Sequence, residues 1–231
     1  MTPTEHPSSR TAMPISPYIQ AETFPLILRW IAKCLSYLFH PLFIPLYVTA
    51  FLEYVHPTCF VGYGALDKKK LFLLIALNAV FFPLVTVLIA KGLGFIESIF
   101  LRTQRDRIIP YISSMIFFFW TQYVLREQDM VPRLLVGFMF GVFISSAAAL
   151  IANIYYKVSM HAIGMGGVIG LFLVILFTNS MLMTWPLCVA LLIAGLVCSS
   201  RLLLGSHYPK EIYAGILIGM CCQLIGGAMY L

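Results

Sequence analysis

Charge is scarce in this chain. Only 10% of its 231 residues are Asp, Glu, Lys or Arg, against roughly a quarter in water-soluble domains, so water cannot be its main solvent. The basic residues form no single block. They fall mainly in the gaps between apolar runs, and with a formal net charge of +6 they give little support to nucleic-acid binding. Paired cysteines at zinc-site spacing are also missing. Cys34, Cys59, Cys188, Cys198, Cys221 and Cys222 are the cysteines present, and all but Cys59 lie in apolar stretches, which reads as apolar packing and gives no metal centre. The N-terminal segment lacks the charged-then-apolar order of a cleaved signal peptide. It holds Pro3, Pro7, Pro14 and Pro17 among Ser and Thr, a pattern that suits a mobile tail over 1–23. The first apolar run then serves as an uncleaved insertion signal, and 24–231 forms one membrane-embedded domain.

What the chain has in abundance is apolar length. Hydrophobic residues make up 61% of it and its mean hydropathy is +0.93, enough for about six to eight spans of roughly 20 residues each. Apolar runs and breakers place seven candidate spans near 36–55, 71–96, 111–126, 134–156, 164–184, 186–204 and 209–230. The expected fold class is therefore all-α, a polytopic transmembrane bundle of about six to seven spans. Before the first, Arg29 and Lys33 interrupt the apolar segment Phe24 to Lys33, which either lies as a helix in the membrane surface or extends the first span.

The breaks differ in kind. Asp67-Lys68-Lys69-Lys70 and Arg126-Glu127-Gln128-Asp129 read as solvated connections, and Thr184-Trp185-Pro186 as a tight turn with an interfacial Trp. The breaks at Leu101–Pro110, Tyr156–Gly167 and Arg201–Glu211 hold dense Arg, Lys, Ser, His and Glu, and they follow the second, fourth and sixth spans. Two spans return a chain to the side it left, so all three clusters are expected on the membrane face that the N-terminus occupies.

The third cluster contains Arg201, Gly205, Ser206, His207, Pro209 and Glu211. Gly205 suits a helix end and Pro209 a helix start. Glu211 then lies one turn on from His207, where its carboxylate can hold one ring nitrogen as N–H and leave the other free to attack or bind. Arg201 can reach the same spot, and an arginine, an oriented imidazole and helix-start N–H groups receive a tetrahedral anion well. The bland alternative is an interfacial Arg201 beside an incidental His207. In the second cluster Lys157, Ser159 and His161 precede glycines 164, 166 and 167; these either let backbone N–H groups approach an anion or serve helix packing. The first cluster offers Arg102, Arg105 and Arg107, which are either membrane-edge anchors or further anion ligands.

Together these clusters resemble the type 2 phosphatidic acid phosphatase (PAP2) superfamily, which includes vanadium haloperoxidases and bacterial lipid pyrophosphatases. The family's third motif, SRxxxxxHxxxD, is matched by Ser200, Arg201 and His207, with Glu211 in place of Asp. Its second, PSGH, is matched by Ser159 and His161, with Val158 and Met160 where Pro and Gly stand. For the first, KxxxxxxRP, Arg102 falls at the Lys position when Pro110 is aligned and Ile109 at the Arg position, so Arg105 and Arg107 are the candidate substitutes, with Lys157 as a further cation. The resemblance covers roughly 100–220. It implies a PAP2/haloperoxidase-like core and a lipid phosphatase of the cell membrane acting on phosphatidic acid, phosphatidylglycerol phosphate or a prenyl diphosphate. His207 would be the nucleophile, forming a phosphohistidine, with Glu211 orienting it and His161 protonating the leaving oxygen. Arg201, Ser159, Lys157 and an arginine among 102, 105 and 107 would hold the phosphate. No metal and no cofactor is implied; the expected partners are the lipid phosphate and membrane lipids, and no motif specifies an oligomeric state. Rival readings are a lipid-binding or lipid-translocating relative, a haem protein ligated by His161 and His207, and a transporter. Against the last stands the lack of an ionisable residue near the middle of any span.

Overall fold

The computed structural model describes residues 24–98, 103–178 and 183–231. The tail expected over 1–23, and Arg102, lie outside the described residues. Nine α-helices are described: α1 (Leu26–Leu38), α2 (Ile44–Tyr54), α3 (Ala65–Ala76), α4 (Phe82–Gly92), α5 (Ile108–Arg126), α6 (Arg133–Tyr155), α7 (Met160–Thr178), α8 (Thr184–Leu203) and α9 (Pro209–Tyr230). There is no strand among the described residues.

These helices make seven segments of 19–29 residues that are long and apolar enough to cross a membrane. The protein is a multi-pass, all-helical membrane protein. The first span joins α1 and α2 through a 3-10 turn at Pro41–Phe43, and the second joins α3 and α4 through a π-helical turn at Leu77–Phe81. Pro41 explains the first joint. A residue before proline is steered out of the helical region, and His40 adopts φ −63°, ψ 137°. Phe24–Lys33 thus contributes to a helix of its own that extends the first span.

Asp67–Lys70 is not the solvated connection expected from its charge; it forms part of the opening turns of α3. Asp67 lies in the first turn, where a carboxylate complements the exposed N–H groups and the helix dipole, and Lys70 reaches it at 3.8 Å on the surface. Gly205 closes α8 with φ +61°, the left-handed conformation that suits glycine, and Pro209 occupies the first turn of α9.

The interior is built around α9, which packs most extensively on α7 and α6. Small residues permit this. A Cβ on Gly219 would collide with the Ile163 carbonyl of α7, one on Gly166 with the Ile216 carbonyl of α9, and one on Gly226 with the Gly137 carbonyl of α6. Backbones in such contact gain dispersion that lipid cannot supply. Helix α5 packs on α6, and α1 on α8.

Filling this contact should therefore loosen the bundle. Gly219→Val is expected to lower stability by about 1–3 kcal/mol, read as a lower thermal midpoint in detergent. Gly195→Ala on α8, where a Cβ meets nothing within 4 Å, should leave the midpoint equal to or above that of the wild type, because alanine suits a helix interior better than glycine.

Candidate active site

The three polar clusters meet at one end of the bundle. Arg107, at the start of α5, donates from Nη1 to the Val158 carbonyl at 3.3 Å. The Ser159 N–H donates to the Glu211 carbonyl at 3.4 Å. The segment before α5 is tied to the end of α6 by a reciprocal pair, Gln104 Nε2 to the Asn153 carbonyl and Asn153 Nδ2 to the Gln104 carbonyl, both 2.9 Å.

His207 lies in the turn between α8 and α9 and is 8% exposed. Its Nδ1 contacts Glu211 Oε2 at 2.6 Å. Glu211 occupies the first turn of α9, and the same oxygen accepts from the Tyr208 N–H at 3.3 Å, so helix capping fixes the carboxylate that fixes the imidazole. A carboxylate only accepts. Nδ1 therefore carries the hydrogen and Nε2 presents a lone pair. Burial, reinforced by the charges of Arg201, Arg107 and Lys157, pushes the imidazole down to about 3, which keeps it neutral at physiological pH.

Arg107 is 7% exposed; burial lowers its basicity, while Tyr111 and Glu211 nearby act the other way. Lys157 is half-buried, and its ammonium is destabilised by burial first and by Arg107 next, with Glu211 opposing. Arg201 donates from Nη1 to Ser36 Oγ at 3.3 Å, and its buried Nε has no partner. Ser159 is wholly buried and caps α7, its Oγ accepting from the Ala162 N–H at 3.4 Å. His161 contacts the Ser36 carbonyl through Nε2 at 2.9 Å, which makes that nitrogen the donor.

Arg107, Lys157, Ser159, His161, Arg201, His207 and Glu211 thus gather at one place. Arg105 does not join them, because its side chain is exposed; of the arginines in the first cluster that are described, Arg107 is the buried one. Sequence reasoning missed Ser36, on α1, and His40, whose ring meets that of His161 edge-on at 5.6 Å. A serine and a histidine four residues apart in an otherwise apolar run were the available signal. Among the described residues, no three His, Cys, Asp or Glu side chains are grouped so as to hold a metal ion. Below the cluster an apolar cavity of about 80 Å³ opens between α2, α5, α6, α7 and α9, its wall including Pro41, Tyr111, Met160, Ile163, Phe138 and Gln223.

Comparison of the chain with protein-family models, with curated proteins and with solved structures finds no match.

Keeping a histidine neutral has a signed consequence. The folded-state value of His207 is below its ordinary 6.5, so the stability this adds is complete above that ordinary value and is lost as pH falls from about 6.5 toward about 3. Between pH 7.5 and 4.5 the thermal midpoint of the wild type should drop more than that of His207→Gln, by on the order of 5 °C.

Proposed function

We propose that the protein is a membrane lipid phosphatase with a PAP2-like core, working through a phosphohistidine on His207. The observation that carries the reading is the 2.6 Å pairing of His207 with Glu211 in a site where Arg107, Arg201 and Lys157 bring an excess of positive charge to the same imidazole. Arg107 and Lys157 share the carboxylate of Glu211, and the phosphoryl oxygens of a monoester or diphosphate would add the negative charge that favours three cations held together.

In the proposed reaction the neutral Nε2 of His207 attacks phosphorus and the ester oxygen leaves with the bonding electrons. His161, as its imidazolium, gives that oxygen a proton and takes one back from the water that then attacks phosphorus, so that the N–P bond breaks, phosphate is released and both imidazoles are restored. Glu211 holds the ring and balances the positive charge that develops on it. The guanidinium groups of Arg107 and Arg201 and the ammonium of Lys157 neutralise the phosphoryl oxygens in a site partly withdrawn from water, where electrostatic stabilisation is strongest. Ser159 and the opening N–H groups of α7 lie beside them. The position at helix ends fits a headgroup at the membrane rim, with its chain in the apolar cavity below.

One contact favours a second reading. The Nε2 hydrogen of His161 is engaged by the Ser36 carbonyl at 2.9 Å, so in this conformation it does not face a leaving group. A relative that binds or moves lipid phosphates without cleaving them would hold the same cations and need no acid.

Phosphate release from phosphatidic acid, phosphatidylglycerol phosphate and a prenyl diphosphate in detergent separates the two. The phosphatase is expected to turn over at least one of them, to keep its rate in EDTA, and to lose at least a thousandfold in His207→Ala. Equal rates for His207→Ala and wild type would remove His207 as nucleophile.

A further inference from the structure

Tyr111 stands between the cationic site and the cavity. It follows Arg107 by one turn of α5, is 3% exposed, and packs its ring against Ala149, Val158 and Ile163. Its hydroxyl is buried and has no hydrogen-bond partner. The polar neighbour whose charge it feels is Arg107, and a guanidinium only donates. A buried phenol next to a donor-only group lacks a protein acceptor, and a buried hydroxyl left without one is unfavourable.

Tyr111 also belongs to the cavity wall. Along α6 that wall runs from Ala149 to Phe138, and at the helical rise this is about 16 Å, close to half of a roughly 30 Å hydrocarbon core. The residues lining the cavity therefore extend over about the thickness of one leaflet. A chain lying along them from a phosphate at Arg107 and His207 passes Tyr111 just below the headgroup. In an acylglycerol phosphate that region carries the ester carbonyls, only a few bonds from phosphorus. In a prenyl phosphate it carries carbon alone.

We propose that the Tyr111 hydroxyl donates to an ester carbonyl of the bound lipid, making Tyr111 a specificity-determining residue that selects acylglycerol phosphates. This rests on the phosphatase reading above. Tyr111 does not enter the chemistry; it sorts substrates by what lies beneath the phosphate.

The test compares phosphate release by wild type and Tyr111→Phe from three lipids in mixed micelles: dipalmitoyl phosphatidate, its dialkyl ether counterpart and a prenyl monophosphate. The wild type is expected to favour ester over ether about three- to tenfold in kcat/KM, the worth of one neutral hydrogen bond. Tyr111→Phe should abolish that preference while leaving ether and prenyl rates unchanged. Because the substitution removes only an unpartnered hydroxyl, its thermal midpoint should equal or exceed that of the wild type. Equal ester and ether rates in the wild type, or a uniform loss across all three lipids in Tyr111→Phe, would overturn the assignment while leaving the phosphatase intact. Release by the wild type from none of the three, but from phosphatidylglycerol phosphate or a prenyl diphosphate, would overturn this inference alone, and release from none of the five would overturn the phosphatase reading with it.

Discussion

The close approach of α9 to α7 is the contact on which the site depends. Lipid tails are as apolar as the helix surfaces, so hydrophobic burial does not draw spans together within a bilayer, and intimate packing does so instead. Gly166, Gly215 and Gly219 let the two backbones touch. That contact sets the start of α9 against the start of α7, where the Ser159 N–H reaches the Glu211 carbonyl. His207 and His161, 46 positions apart in the chain by their numbering, become neighbours because two runs of small residues face each other. The electrostatics follow, since Arg107, Lys157 and Arg201 are all near enough to influence His207.

Positive charge concentrated in a half-dry setting explains why the site lies at the rim. In the hydrocarbon interior such a group of cations would be prohibitive, and in open water it would be screened. At the end of the bundle the guanidinium and ammonium stems pass along apolar helices while the headgroups converge. Helix capping does double service here: Glu211 satisfies the N–H of Tyr208 and, through the same oxygen, orients His207. Changing that carboxylate alters the helix start and the imidazole together.

Helix α1 adds a layer that motifs alone do not describe. Its apolar face is exposed, with Leu26, Ile27, Trp30 and Ile31 facing outward, while Ser36 points inward. The Ser36 hydroxyl accepts from Arg201 and its carbonyl accepts from His161. Two oxygens of one residue thus occupy donors that an anion would use. A phosphate entering this arrangement, as proposed, would exchange neutral acceptors for charged ones, which form stronger hydrogen bonds with cationic donors.

Much of the architecture was legible in the order of residues. Scarcity of charge and the length of apolar runs determined an all-helical membrane protein of seven spans, because a bilayer leaves the backbone few other ways to satisfy its polar groups. Gly205 and Pro209 marked the turn that carries His207, because their backbone preferences are local. The spacing of His207 and Glu211 set their pairing, because four residues make one helical turn. Other features had no local signature. The choice of Arg107 over Arg105 came from which side of a short turn faces the bundle, and the roles of Ser36, His40 and Tyr111 came from neighbours supplied by distant helices. Sequence by itself determined solvent, span count and the chemistry within each turn, since these depend on residues a few positions apart. Tertiary structure alone decided which side chains share the site, since that depends on how closely glycines allow separate helices to approach.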